Sequence, residues 1–560
     1  MMAATAPTDS SRASLSCVRL STVALRSPDL EPAFPPARLH TSPRAMPSLP
    51  SLATTTGSVA RSAPSRASRA SPSRAERPFP SRSRARPRAL VARAASASAD
   101  RYAAWLRDRD VRGDALDVAY VTGAADAAES HRGCVATRDV RAEDALVTLP
   151  RGAALYVTEG QENPLGDFGS DELWEAIGEE KWALRVALVL LRERALGEKS
   201  EFAAYVAQLP KEYALVGSYS EEDVRAMQYP PAEKMAREQR DENAEAIRLV
   251  RKHAASGGAL AGMSDEDVVW ALDTVRSRVF SGRMADDAKL RAKLLPRSLA
   301  VGMCFATFLT APSVEGRWLA VFAVLALTVF DSTSNSDRDS NTAYVLMPLI
   351  DAINHKTMLK TEFEFSGGSF VLRAPRDYKR GEEVFISYGV LNNDELITRY
   401  GFVDADNVAD VYRFEGFLPF LQANHEPMKR ALGADPNRLA TIKRTHPELD
   451  EALWNGNFIS DGNAEDKLLW ALRAALATPE EFAAANGVDG FKLGGGAPDR
   501  RAADAVRAAV AARLDACPTT LERDAEELAA TNGPRKTAIA FRIRKKRILR
   551  DACAIYDTSK

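Results

Sequence analysis

Two short stretches of the 560-residue chain follow one plan and stand about 230 residues apart. In the first, CVATRDVRAEDALVTLP, Val135 and Val140 flank a charged run, and Ala145, Leu146 and Val147 then lead to Pro150. In the second, VLRAPRDYKRGEEVFISYG, Val371 and Leu372 precede a turn through Arg380 and Gly381, and Val384, Phe385 and Ile386 follow. Each reads as strand, polar turn, strand, the pattern of a hairpin. Two hairpins of one design, so widely separated, predict a single β-rich unit whose halves bracket an insertion.

The text between them is helical. Trp182 to Leu196 is a strongly apolar helix with Gly197 suited to its C′ position. Ser220 with Asp223, and Ser264 with Asp267, have the spacing of an N-cap and its third helical residue. After Gly401 the chain becomes helical again, with start signals at Thr478-Pro479-Glu481 and at Thr519 with Glu522. Two apolar runs, 299–311 and 318–330, fall short of the roughly 18–20 residues needed to span a bilayer. They read as buried helices or an apolar insertion, and no membrane span is expected.

Charge is divided unevenly along the chain. Residues 1–99 hold 15 Arg, no Lys, 19 Ser and 4 acids, whereas 100–560 hold 60 basic and 72 acidic side chains. The opening segment buries too little apolar surface to offset its ordering entropy, so 1–97 is set outside the fold. Its composition is that of an organelle transit peptide, processed near residues 94–98, or else of a basic arm that is never cleaved. Abundant Ser and Pro favour a chloroplast destination, with the mitochondrion as alternative. The acidic remainder argues against nucleic-acid binding. Five scattered Cys without a CxxC pair, six His and no HExxH give neither a disulfide scaffold nor a metal site. Nucleotide-binding and hydrolase glycine motifs have no anchor in a strand–helix context.

What remains is a polar cluster in apolar text. PLIDAINHK (348–356) places Asp351, Asn354 and His355 at spacings of three and four, which would gather them on one helical turn. Spacing alone reads more simply as a helix cap with a satisfied histidine. Downstream, Tyr388 precedes Gly389, and Tyr400 precedes Gly401 at the end of a short helix over 394–399. Two tyrosine–glycine pairs taken alone are packing; together they place two phenols where one pocket can take both.

These segments carry a resemblance. Gly133-Cys134-Val135-Ala136, Arg276-Ser277-Arg278, Asp351-Ala352-Ile353-Asn354-His355 and Ser387-Tyr388-Gly389 with Tyr400-Gly401-Phe402 resemble the SET-domain protein methyltransferases. More narrowly, the chain is similar to the Rubisco large-subunit lysine methyltransferase group. LLRERALGEKSEFAAYVAQLP (190–210) and WALDTVRSRVF (270–280) resemble its helical insert, and TTLERDAEEL (519–528) and AIAFRIRKKRIL (538–549) its C-terminal domain. The resemblance implies an α+β fold: a β-rich SET domain over 98–403, split by a helical insert at about 160–340, then an all-α substrate-binding domain over 404–560. It implies S-adenosyl-L-methionine as methyl donor and no metal. Asn354 and His355 would hold the adenine end, while Arg278 and the backbone at Arg132 and Gly133 would hold the methionine end. Tyr388 would be catalytic, Tyr400 would line the substrate-lysine channel, and Asp351 would lie beside it.

The implied partner is a protein, such as Rubisco or fructose-bisphosphate aldolase in the chloroplast stroma, acted on by a monomer. A histidine methyltransferase and a catalytically silent binding module are the competing expectations. Three departures accompany the resemblance: His131 where a glycine is usual, Gly282 where a second arginine is often found, and 73 residues from Arg278 to Asp351 where the family has fewer. Finally, residues 535–550 carry eight basic side chains and no acid. They read as a solvated helix face or as a docking surface for an acidic patch on a partner.

Overall fold

A computed structural model of the chain describes residues 88–122, 130–254, 258–285, 340–366 and 368–557. Residues 1–87 of the expected leader and the apolar runs at 299–311 and 318–330 lie outside them.

The two strand–turn–strand segments do form strands: β2 (Ser130–Ala136) and β3 (Ala145–Pro150) in the first, β9 (Ser369–Arg373) and β10 (Glu383–Ile386) in the second. Neither segment folds back on itself as the hairpin reading expects. Each pairs with the other instead. β2 runs antiparallel to β10, with Val384 opposite Cys134, and β3 runs antiparallel to β9, with Leu149 opposite Phe370. The polar stretches between the strands lie side by side, with Val140 bridging Tyr378. Their charges are the fasteners. Asp139 accepts from Lys379 Nζ at 2.8 Å and from the Arg380 amide at 3.0 Å, while Asp377 accepts from the Ala142 amide at 2.8 Å. A period of two fixes which face of a strand is buried and leaves the partner open. Apolar faces of both copies then share one core: Cys134, Val140, Leu146, Leu149, Leu372, Tyr378 and Ile386.

β1 (Leu116–Thr122) and a two-residue strand β7 (Asn354–His355) complete a sheet ordered β1-β2-β10-β7, in which β7 is a parallel edge strand. A second sheet is ordered β3-β9-β8, with β8 at Phe363–Ser366. A third joins β4 (Leu155–Thr158), β6 (Ser340–Leu346) and β5 (Val279–Ala285) in the order β4-β6-β5. The insert is therefore not purely helical, since β5 continues directly from the helix Asp265–Arg278.

Helix boundaries follow the residues that cap them. The Ser220 hydroxyl accepts from the Asp223 amide, and Ser264 with Asp267, and Thr478 with Glu481, form reciprocal capping boxes. Gly197 ends Trp182–Leu196 at φ 53°. One expected cap is displaced by a residue: Thr520, not Thr519, caps Leu521–Ala530. The Thr519 hydroxyl is committed elsewhere, to Gln228 and Asp524. The helix Arg88–Asp108 starts ahead of the boundary expected at residue 97, and from Ser98 onward it docks on the insert. Gln208 donates to the Ser98 hydroxyl at 2.7 Å, and Trp105 donates to the Glu201 carbonyl at 2.7 Å. No described helix is long and apolar enough to cross a membrane.

Beyond residue 404 the chain is helical apart from one strand pair, β11 (Val411–Glu415) with β12 (Asn455–Ile459). This region shares a hydrophobic core with Val216 to Ala236 of the insert and with Ile397. The basic run of the final helix, Gly533–Ile555, is neither a solvated face nor a docking surface in its central part. Arg542, Lys545 and Lys546 are buried. Lys546 reaches Asp524 at 2.7 Å, and Arg542 reaches Asp524 at 2.9 Å and Glu527 at 2.6 Å. Lys545 reaches Asp410 at 2.8 Å and Asp394 at 2.6 Å. Composition showed the cations but not their buried acids, which lie up to about 150 residues away in sequence.

Lys545 and Asp410 are 2% and 0% exposed, so breaking the pair strands a charge in the interior. Lys545→Ala is expected to destabilise the fold by about 3 kcal/mol, since Arg544 at 3.3 Å still offsets part of the Asp410 charge. Equilibrium denaturation in urea measures this, and a change under about 0.5 kcal/mol would contradict the account.

Candidate active site

Residues 351–355 do not form the helical turn that their spacing suggests. The backbone turns sharply at Leu349 (φ 73°), passes through a 3-10 turn at Ile350–Ala352 and enters β7. Pairing of Phe385 with Asn354 and of Ile386 with His355 draws the segment out as a strand. Asp351 is thereby separated from Asn354 and His355, and each acquires different partners.

Asn354 reaches back across β10. Its amide donates to the Arg132 carbonyl at 3.0 Å and to Glu383 Oε1 at 2.9 Å. Gly133 makes this possible. A Cβ there would lie 2.5 Å from Glu383 Oε1 and 2.8 Å from Asn354 Nδ2, too close for either to stay. The Arg132 side chain points elsewhere, to the carbonyl and side chain of Gln208.

Asp351 is buried and accepts the Tyr205 hydroxyl at 2.7 Å. Arg278 lies 3.6 Å from its carboxylate and donates to its backbone carbonyl at 2.7 Å, while Arg278 Nε donates to the Tyr213 hydroxyl at 3.2 Å. Burial raises the Asp351 pKa against the opposing pull of Arg278 and Tyr205. Burial also works against the Arg278 charge, but Asp351 and the phenols more than offset it, so the guanidinium stays charged. Asp351 thus anchors Arg278 and is walled off by it.

His355 and the two tyrosines form an aromatic group. His355 Nδ1 accepts the Tyr388 amide at 3.0 Å. The Tyr388 ring lies 5.1 Å from His355 and 4.6 Å from Tyr400, centroid to centroid, and Phe402 lies 6.1 Å from His355. The Tyr388 hydroxyl donates to the Ile353 carbonyl at 2.8 Å. Burial lifts its pKa well above the ordinary phenol value despite the opposing charge of Arg278, so it stands as a neutral phenol. Tyr400 is raised by burial in the same way. It ends the helix Asn393–Tyr400, which Gly401 closes in the left-handed conformation at φ 75°. A side chain at Gly401 would also meet the Ala214 carbonyl oxygen at 2.5 Å, so glycine is required twice over.

The structure therefore gathers Arg132, Gly133, Arg278 and Tyr388 around Asp351, Asn354 and His355 in three groups with separate partners, and adds Tyr400 through its contact with Tyr388. Tyr205, Tyr213 and Glu383 belong to those groups, as do Thr357, whose Oγ1 lies 3.2 Å from His355 Nε2, and Asp404, which accepts the Thr357 hydroxyl; none of the five stands out in the sequence. Their side chains look like ordinary helix, turn and strand residues, and only the fold brings them near 351–355. Among the described residues no cluster of His, Cys, Asp or Glu could hold a metal ion.

Comparison with known proteins accords with this geometry. A family model described as SET domain matches residues 131–389, and one described as Rubisco LSMT substrate-binding matches residues 440–549. An actin-histidine N-methyltransferase of Danio rerio is 25% identical over 286 residues, covering 50% of this chain and 39% of that protein. A ribosomal lysine N-methyltransferase of Schizosaccharomyces pombe is 24% identical over 170 residues, covering 30% of this chain and 38% of that protein. The chain thus spans less than two fifths of the length of these relatives. Among solved structures, Rubisco LSMT bound to AdoMet superposes with a TM-score of 0.52 at 19% identity, covering 82% of this chain and 92% of that one. Rubisco LSMT bound to sinefungin and monomethyllysine gives 0.53 at 20% identity with the same coverage. These share the fold.

The close approach at Gly133 gives a direct test. Gly133→Ala is expected to destabilise the chain by about 1–3 kcal/mol, the usual range for overpacking. Adding Glu383→Ala in the same chain should restore part of the loss, because the nearest colliding atom is removed. Thermal unfolding of the two single variants and the double variant measures the coupling.

Proposed function

We propose that this chain, a SET-domain protein of the Rubisco LSMT-like type, is an S-adenosylmethionine-dependent methyltransferase acting on lysine in a protein substrate. The observation that carries the proposal is the Tyr388–Tyr400 pair. Two neutral, half-buried phenols lie 4.6 Å apart, one of them held by its hydroxyl and by its own amide.

The residues present fit the cofactor. β7 is the edge of its sheet, and the Lys356 amide is bonded to the Ile386 carbonyl. Alternation along a strand then turns the N–H and C=O of His355 away from β10, toward the open edge. That is a donor–acceptor pair suited to an adenine. Arg278, charged and only part-buried, suits the carboxylate end, and side-chain-free Gly133 allows close backbone approach nearby. When bound, S-adenosylmethionine supplies an electrophilic methyl group on a sulfonium.

The rest is work for the protein. A free lysine has a pKa of about 10.4 and is mostly ammonium at pH 7. The aromatic surface of Tyr388, Tyr400 and Phe402 would disfavour that charged form. The Tyr388 hydroxyl spends its proton on the Ile353 carbonyl. Its oxygen is left as an acceptor, which would take an amine N–H and orient the nitrogen lone pair. Holding the amine in one orientation would supply part of the acceleration. Aromatic faces favour methylated, cationic products. The proton leaves through water, since the buried Asp351 is closed off by Arg278 and Tyr205.

Histidine is the second target reading, favoured by the likeness to actin-histidine N-methyltransferases. The leader composition supports a chloroplast location, with stromal proteins such as Rubisco or aldolase as substrates. Calorimetry with S-adenosylmethionine, then mass spectrometry of proteins labelled in a stromal extract, decides between lysine, histidine and no transfer.

Tyr388→Phe keeps the ring and removes one hydroxyl. Stability should change by only about 1 kcal/mol, the worth of one hydrogen bond. Methyl transfer should fall about tenfold to a thousandfold, or roughly 1.4–4 kcal/mol of transition-state stabilisation. Single-turnover labelling alongside thermal unfolding measures both. A rate that falls only in proportion to lost folded protein would remove Tyr388 from the chemistry.

A further inference from the structure

We infer that Thr357 and Asp404 are positioning residues: they fix the tautomer of His355 and, through it, the backbone that carries Tyr388. The catalytic consequence rests on the methyltransferase reading, whereas the tautomer does not.

Four groups stand in a line. The Thr357 hydroxyl donates to the Asp404 carboxylate. Thr357 Oγ1 lies 3.2 Å from His355 Nε2, and His355 Nδ1 lies 3.0 Å from the Tyr388 amide nitrogen. Both ends of the line have a fixed polarity. An ionised carboxylate only accepts, and a peptide N–H only donates. Starting from Asp404, the Thr357 proton is committed, so its oxygen faces Nε2 as an acceptor. Nε2 must then carry the ring proton. Starting from Tyr388, its N–H requires a bare lone pair on Nδ1, which again puts the proton on Nε2. The two derivations agree, and every donor in the line meets one acceptor. With the other tautomer, or with a protonated ring, an Nδ1–H would point at the Tyr388 N–H.

Asp404 is held so that its carboxylate cannot swing away. Its amide donates to Asn393 Oδ1 at 2.9 Å, its carbonyl accepts from Asn393 Nδ2 at 3.0 Å, and its Oδ1 accepts the Asp406 amide at 3.0 Å. Asn393 is fully buried and is itself bonded to Asp410 through its backbone amide and Nδ2. The titratable groups that face the imidazole are Tyr388, from the segment after β10, and Asp404, from the loop after the helix Asn393–Tyr400. Burial lowers the His355 pKa and Asp404 opposes it, so the ring is neutral at pH 7. Both ring nitrogens are thus engaged by protein. The imidazole serves Tyr388, and only the His355 backbone is left for a cofactor.

The test uses the full chain with 15N-labelled histidine, assigning the His355 ring signals by their loss in His355→Gln. The wild type should show the Nε2–H form. Asp404→Ala removes the acceptor of the Thr357 proton, which is then free to point at Nε2 and to oppose the hold of the Tyr388 N–H on Nδ1. The Nδ1–H form should then appear, and methyl incorporation from S-adenosylmethionine into a fixed amount of stromal extract should fall at least tenfold. Thr357→Val should lower the rate similarly, and Thr357→Ser should retain both the wild-type tautomer and at least half the rate. Thermal unfolding confirms that each variant is folded. An Nδ1–H ring in the wild type, or an unchanged Nε2–H ring in Asp404→Ala, overturns the inference whatever the rates. A shifted tautomer at full rate overturns the positioning role. If the wild-type chain transfers no methyl group, the methyltransferase reading fails, and the ring signals still decide the relay.

Discussion

The candidate site depends on one constraint: five consecutive residues, 351–355, must bond in several directions at once. The carbonyls of Asp351 and Ile353 take protons from Arg278 and Tyr388. The side chains of Asp351, Asn354 and His355 reach Tyr205, the Arg132 carbonyl and the Tyr388 amide. Most of these partners come from segments far away in sequence, so the site assembles only when the tertiary fold is complete. In such a network a missing partner leaves a buried polar group unsatisfied, and each lost bond costs more than its own worth.

That segment is held in place by the mutual pairing of the chain's two similar halves. β10 is the centre of the arrangement, antiparallel to β2 on one side and parallel to β7 on the other. It carries Glu383 at one end, against Gly133 and Asn354, and leads into Tyr388 at the other. The insert contributes more than length. It brings Tyr205, Tyr213 and Arg278 under the ridge, and its 216–236 stretch is part of the core of the C-terminal region.

Much of this was legible in the residues. Helix starts at Ser220, Ser264 and Thr478 and helix ends at Gly197 and Gly401 follow from local chemistry, which a sequence states directly. The split β-rich unit was legible too, because alternation marks strands and repetition marks related strands. Partner choice was not. Two strand–turn–strand segments look like hairpins whether they fold on themselves or on each other, and the difference lies in the fastening of Asp139 and Asp377 across the gap. For the same reason the spacing of Asp351, Asn354 and His355 suggested a helix turn, when pairing with β10 makes it a turn and a strand. The ordered set of motifs picked out residues that the fold gathers around 351–355. It did not show Thr357, Asp404 or Tyr205, whose roles come from neighbours far away in sequence. Nor could it show that the cations of the last helix face inward.

That inward-facing helix has a consequence for how the protein can be divided. The SET match closes at residue 389, yet Tyr400, Phe402 and Asp404 lie beyond it, and Asp394 and Asp410 rest on Lys545. The helix bearing Tyr400 is thus clamped between the β-rich unit and the last 30 residues of the chain. A fragment ending at the family boundary would lack Tyr400, the ring packed against Tyr388. A longer fragment without the final helix would keep Tyr400 but take from Asp394 and Asp410 the Lys545 cation that pairs with both. The two regions are separable as names but not as cassettes. A C-terminal region borrowed from a relative must bring a cation to the place of Lys545, or the exchange will loosen the helix that carries Tyr400.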